Sequence, residues 1–384
     1  MENNALINEI ITAFLTPISV VRSFNMGRVT LNLMSNQAIM YQLDHRDIDW
    51  FYSKADTADQ RKIDTRSARI ISCNTSKEED IYHLEITYEE NDLQLTQIFD
   101  VQKGACDFKI RVKLKDLNGV TATNHLIPLD FIYPKDSCDP LFLSLDEKML
   151  VVPYDNDMWV NYEVSYLSSG RTSYDVTYIF NDDKLNGLLI GALEFDHWKN
   201  AIIASGYDAR VFQAISGVAD LGTHDSLAHG VISAESVCSA AFVCGYFDSI
   251  FAALDRYAAL AADKNRLRWN GSTVFGWNSY SALAMYMDLN AYEATSAFFE
   301  TELDDFKDDE GIAYINLDAV FIQDKEAIRR QVEIIHSRHQ KAGTYMAPLA
   351  HIPLLDEFPL LSEPQKKRKD TLPFGRTSLF LISI

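Results

Sequence analysis

The stretch that decides the fold is Ser272-Thr-Val-Phe-Gly-Trp-Asn-Ser-Tyr280. Two later segments echo it, Ile312-Ala-Tyr-Ile-Asn-Leu-Asp-Ala319 and Gly343-Thr-Tyr-Met346. A short run of β-branched and aromatic residues predicts a strand. The first strand is therefore expected at Ser272–Phe275, running into Gly276, Trp277 and Asn278. The second is expected at Ile312–Leu317, ending at Asp318. The third begins at Thr344. Between the first two lies a helical stretch from about Leu289 to Leu303. Between the last two, Asp324 is a candidate N-cap for a helix with Ile328, Val332 and Ile335 on one face, closed by Lys341-Ala-Gly343. The order is strand-helix-strand-helix-strand, with strands roughly thirty to forty residues apart, the period of parallel βαβ units.

Upstream the pattern changes to a period of two. Val29–Leu33, Ile81–Thr87, Leu93–Ile98 and Phe108–Leu114 alternate apolar and polar residues. Turn signals punctuate them at Glu90-Asn-Asp92, Asp116-Leu-Asn-Gly119 and Ser168-Ser-Gly170. Many short strands without a long helix predict a β-sandwich. From Ser239 to about Lys264 the spacing turns helical, with Val243, Phe247, Ile250, Phe251, Leu254, Tyr257, Ala258 and Ala261 as one stripe. The expected division is a β-sandwich domain over residues 1–238, a linking helix over 239–265 and an α/β region over 266–384.

Composition narrows the function. The chain has 384 residues, 47% hydrophobic and 23% charged, a globular balance. With 35 Lys+Arg against 55 Asp+Glu, the net charge of −20 argues against a nucleic-acid partner and against an anionic membrane. The dense basic run is Lys366–Lys369. The apolar stretch Ile10–Val21 is interrupted and lacks a basic flank, so no export signal or membrane span is expected and a cytoplasmic location follows. The five cysteines are scattered and odd in number, which predicts buried free thiols rather than disulfides or a zinc clip.

The chemistry-bearing side chains sit at the strand ends: Trp277, Asn278, Asp318 and Tyr345. In a (β/α)8 barrel the carboxyl ends of the strands converge on the substrate. An aromatic plate covers the apolar face of a pyranose, and a carboxylate accepts hydrogen bonds from adjacent hydroxyls. No cofactor is implied. A metal is not expected either: Asp304–Glu310 lacks calcium-loop spacing, and His224, Asp225 and His229 do not fall on one helical turn.

At these residues the chain resembles the α-galactosidase (melibiase) and raffinose-synthase-like glycoside hydrolases. The shared motifs are Gly276-Trp-Asn-Ser-Tyr280, Tyr314-Ile-Asn-Leu-Asp318, Ile335-His-Ser-Arg-His339 and Gly343-Thr-Tyr345. The resemblance covers about residues 270–350 and implies a β-supersandwich followed by a (β/α)8 barrel. It also implies retaining hydrolysis of α-glycosidic bonds by two carboxylates. Carried over, Trp277 lines the sugar pocket, Asp318 binds sugar hydroxyls, and Tyr345 and Asn278 flank them. Ala319 replaces the family's second aspartate, which questions ordinary galactose selectivity. About 120 residues follow Arg266, half of the roughly 250 of a full barrel, so a partial, truncated barrel is expected. No Lys-x-Asp nucleophile motif follows a strand, and the catalytic residues are unassigned. The alternatives are a non-catalytic carbohydrate-binding remnant or a sugar-donor transferase. The expected partner is a carbohydrate. A homo-oligomer fits the exposed sheet edge of an incomplete barrel, and the apolar C-terminal residues could supply an edge strand.

Overall fold

The computed structural model describes residues 18–132, 147–154, 162–181, 185–204, 211–217, 230–265, 272–283, 289–317, 325–346 and 380–383. The chain forms two compact units, residues 1–267 and 268–384.

The first unit is built from two large antiparallel sheets. One runs β1 (Val20–Met26), β2 (Val29–Met34), β3 (Ile39–Leu43), β4 (Arg46–Asp56), β11 (His125–Ile132), β18 (Val211–Ser216), β17 (Asn200–Ala204), β14 (Thr172–Tyr174), with β5 (Lys62–Asp64) on β4. The other runs β13 (Glu163–Tyr166), β12 (Lys148–Val151), β15 (Val176–Phe180), β16 (Gly187–Ala192), β21 (Phe242–Phe247), β9 (Asp107–Asp116), β8 (Leu93–Gln102), β7 (Ile81–Glu90), β6 (Arg69–Glu78), with β20 (Val237–Cys238) on β9. A small ribbon pairs β10 (Thr121–Thr123) with β19 (Ile232–Ala234).

Alternation drives this packing. Along β9, Phe108, Ile110, Val112 and Leu114 are buried, while Lys109, Arg111, Lys113 and Lys115 remain half-exposed. The buried rows of the two sheets meet in one core. There Phe51 stacks on Phe108 with ring centroids 5.7 Å apart, and Phe131 stacks on Phe212 at 4.3 Å. The Glu90-Asn-Asp turn is as expected: Asn91 and Asp92 both take positive φ, the conformation that suits a two-residue hairpin.

Two expectations change here. Residues 242–247 are a strand, and the helix α1 spans Ile250–Asn265. The run is apolar at consecutive positions because β21 is covered on both faces. Phe242 and Cys244 enter the inter-sheet core, while Val243 and Phe247 face the layer containing α1. The buried stripe of α1 accordingly centres on Ala253 and Leu260, leaving Phe251 75% exposed. The helix is tied to the sandwich: the Tyr257 hydroxyl donates to the Ala192 carbonyl at 3.0 Å, and Arg256 pairs with Asp107 at 3.1 Å. The thiols also differ from expectation. Cys244 is buried, Cys73 and Cys106 are half-buried, and Cys238 is exposed. Burial raises the thiol pKa of Cys73 and Cys106. Cys138 lies outside the described residues, as do His224, Asp225 and His229.

The second unit holds the expected strand and helix order. Its sheet runs β22 (Gly276–Asn278), β23 (Tyr314–Asn316), β24 (Lys341–Met346), β25 (Phe380–Ser383). The first three strands are parallel and β25 is antiparallel to β24. The helices are the short α2 (Ser279–Leu283), then α3 (Leu289–Thr301) and α4 (Lys325–Ser337). Among the described residues this is an open four-stranded sheet, and the partial barrel of the sequence reading goes no further than its three parallel strands.

Two boundaries moved. The first strand is Gly276–Asn278 rather than Ser272–Phe275, so Trp277 and Asn278 lie within the strand. The third strand begins at Lys341 because α4 is closed earlier, by His339 at φ 56°. The Gln340 N–H reaches back to the Ile335 carbonyl, a Schellman-type end that needed no glycine.

Candidate functional site

The three parallel strands set their side chains in rows. Trp277, Ile315 and Ala342 form the middle row. Gly276, Tyr314 and Lys341 form the row before it, and Asn278, Asn316 and Gly343 the row after. The middle row packs on the helices: Ile315 and Ala342 are fully buried in a cluster with Tyr292, Phe299 and Ile335. Period two then turns the other two rows to the opposite face. That face is polar, and the residues at its carboxyl end are Asn278 and Asn316.

Trp277 belongs to the helix-facing row. It is half-buried, with its ring edge-on to Tyr292 at 6.0 Å and 73°. The indole expected as a sugar plate thus anchors β22 to α3. Asn278 is exposed, and its Oδ1 accepts the Tyr280 N–H at 3.0 Å, an Asx turn that starts α2. Asp318 lies outside the described residues. Tyr345 is on β24, two positions beyond Gly343 and paired with Leu381 in the ladder; its side chain lies outside the described set.

Glycines permit the close approach of these strands. A Cβ on Gly276 would lie 1.9 Å from the Tyr314 carbonyl oxygen, and one on Gly343 would lie 3.1 Å from Asn316 Oδ1. Gly343 therefore leaves room for the amide of Asn316, which is only 5% exposed. The ends of β23 and β24 are locked together just before Asp318. The Leu317 N–H donates to the Gly343 carbonyl at 2.7 Å, and the Thr344 hydroxyl donates to the Leu317 carbonyl at 3.1 Å.

Tyr314 and Lys341 occupy the amino ends of their strands. Lys341 Nζ donates to the Tyr314 hydroxyl at 3.3 Å, and this bond holds the ammonium pKa above its ordinary value. The turn before β24 is pinned to α3: the Ser296 hydroxyl donates to Gln340 Oε1 at 2.6 Å, and Gln340 Nε2 donates to the Ser296 carbonyl at 2.9 Å.

Asn316, Tyr314 and Lys341 were not singled out from the sequence as site residues. The usable signal was alternation within Ile312–Leu317, which sets Tyr314 and Asn316 opposite Ile315 and Leu317. The acidic loop behaves as a turn: Asp308 Oδ1 accepts the N–H groups of Glu310 at 2.9 Å and Ile312 at 2.8 Å. Among the described residues no group of three His, Cys, Asp or Glu side chains could hold a metal ion. In the sandwich, Trp198 is buried with its Nε1–H on the Cys238 carbonyl at 3.0 Å, a packing role. Among the described residues no helix is long and apolar enough to cross a membrane.

The sequence matches no protein-family model and no curated protein sequence. Solved structures do match the fold. A beta-arabinopyranosidase superposes with a TM-score of 0.56 at 9% identity, covering 82% of this chain and 53% of its own length. The GH36 alpha-galactosidase AgaA from Geobacillus stearothermophilus gives 0.51 at 10% identity, covering 94% and 61%. An alpha-N-acetylgalactosaminidase from Bifidobacterium bifidum, solved with GalNAc, gives 0.50 at 9%, covering 84% and 58%. The chain spans just over half the length of these structures. Its fold is similar to part of the fold of these glycoside hydrolases.

Proposed function

We propose that this chain carries the β-supersandwich and the opening strands of the (β/α)8 barrel of an α-galactosidase-like glycoside hydrolase, and that its strand-end face binds a pyranoside. The division is a sandwich whose last strand, β21, ends at Phe247, then the connecting helix α1 to Asn265 and the barrel portion after it. The observation that carries the reading is the in-register row Asn278–Asn316–Gly343, which closes β22 and β23 at their carboxyl ends beside β24, on the face away from the helices. Amides there donate to and accept from vicinal hydroxyls. In this reading Asp318, two residues after β23 in the sequence, and Tyr345 of β24 supply a charged acceptor and a phenol. Trp277 holds the first strand in place from the helix side.

Family chemistry requires a nucleophilic and an acid/base carboxylate. Neither is assigned in this chain, so its own residues bind and orient sugar rather than cleave it. The antiparallel β25 favours this non-catalytic reading, because it occupies the edge of β24 where the barrel's next parallel strand would pair. The experiment is saturation-transfer NMR with methyl α-galactopyranoside, together with an assay on nitrophenyl α-galactoside. Transfer to the sugar is expected, lost in Asp318→Ala and reduced in Asn278→Ala, without enzyme-like turnover. Absence of transfer overturns the sugar site. Turnover at enzyme-like rates overturns the non-catalytic assignment.

A further inference from the structure

The ten-stranded sheet ends at β6, a ten-residue strand that pairs with β7 and, among the described residues, with nothing on its other side. Such an edge presents unpaired backbone N–H and C=O groups over about 30 Å. The other free edges are shorter: β13 has four residues, β14 three and β1 seven. Edges are usually blunted by proline or by charges along their length. β6 has no proline, and between Arg69 and Lys77 it carries Ile70-Ile-Ser-Cys-Asn-Thr-Ser76. Asn74 to Glu78 are exposed, and Ile71, displaced by a bulge between Ile70 and Ser72, is 40% exposed.

We propose that β6 pairs antiparallel with β6 of a second copy of this chain about a two-fold axis near Asn74 and Thr75. The choice of partner rests on charge. One end of the strand is cationic through Arg69; the other end and its turn set Lys77, which lies over the Tyr82 ring of its own β7, against Glu78, Glu79 and Asp80 and keep an acidic excess. Antiparallel self-pairing sets Arg69 of each copy against the acidic end of the other. Parallel pairing would stack acid on acid in a chain already at −20. Arg69 donates one bond to Glu89 of its own β7 at 3.0 Å; its side chain is 75% exposed, with further N–H groups facing water. Lys103 lies 3.9 Å from Asp80 and moderates that end without reversing it.

The test is sedimentation equilibrium of the whole chain over a wide concentration range. A reversible dimer is expected. Asn74→Lys with Thr75→Lys, both on exposed positions, places like charges across the axis and raises the dissociation constant about tenfold or more. Arg69→Glu weakens the dimer, and adding Glu79→Arg restores it; unchanged circular dichroism shows that the variants fold. In a Cys73→Ser, Cys238→Ser background, Thr75→Cys is expected to join two copies through a short bis-maleimide. A chain that stays monomeric overturns the proposal, as does a dimer indifferent to the lysine pair or to the charge exchange. A monomer whose edge takes up a foreign extended peptide also overturns self-pairing.

Discussion

Asp130 shows how one side chain can organise a sheet surface. It is fully buried on β11, yet it accepts from Arg66 at 2.6 Å, pairs with Lys54 at 2.6 Å and accepts from Gln213 Nε2 at 2.8 Å. Arg66 also lies over the Tyr52 ring, 4.4 Å from its centroid. A buried carboxylate is tolerated only when its acceptor sites are filled, and here three elements fill them. Removing it leaves Arg66 and Lys54 with Asp64 as their remaining carboxylate, at 2.9 and 3.8 Å, and each cation is about one-quarter exposed and recovers some hydration. Asp130→Ala is expected to cost about 3 kcal/mol, read as a lowered urea midpoint with unchanged slope. Lys54→Met, which keeps the Arg66 and Gln213 bonds, should cost less.

At the scale of elements, β22 depends on a residue that has no side chain. Any Cβ at position 276 would sit inside the Tyr314 carbonyl. Gly276→Ala must therefore push β22 off β23, breaking the ladder that sets Asn278 beside Asn316. We expect the variant to lose amide protection in β22 by hydrogen exchange while the two large sheets keep theirs. Equal loss in both units would refute the local role. The same scale explains the end of α4. The pattern Lys341-Ala-Gly343 predicts the stop, but His339 takes the left-handed position, and Gly343 provides clearance beside Asn316.

Taken whole, the first unit carries carboxylates tuned by their neighbours. The Arg28 guanidinium holds the Asp44 carboxyl below its usual range. The His125 imidazole, 3.3 Å away, does so for Asp56, Thr57 and Arg61 for Asp59, and Arg61 for Asp116. A carboxyl depressed in the folded state adds stability above its unfolded pKa and loses it as pH falls through the folded value. Urea midpoints are therefore expected to hold near neutrality and to fall on acidification below about pH 4. A midpoint that rises there would contradict these pairings. Sandwich and α/β unit contribute differently, since the tuned groups named all lie in residues 1–267.

Period-two alternation located β2, β7, β8 and β9; in β7 and β9 it marks a dry and a wetter face, whereas in β2 the polar Thr30 and Asn32 are buried as well. The order of strands and helices after residue 272 was equally legible, since it is set by apolar period and by breakers. The chain order also exposed the strand-end residues Trp277 and Asn278. Three things waited for the tertiary structure. Residues 242–247 look helical in isolation and become a strand only because a second sheet and α1 cover both faces. Trp277 faces the helices because the register, fixed by hydrogen bonds to β23, makes it a neighbour of Ile315. Asn316 joined the row beside Asn278 only through the approach of β24 at Gly343, which buries its amide. Local pattern records how a residue meets water, whereas register and facing depend on partners far away in the chain.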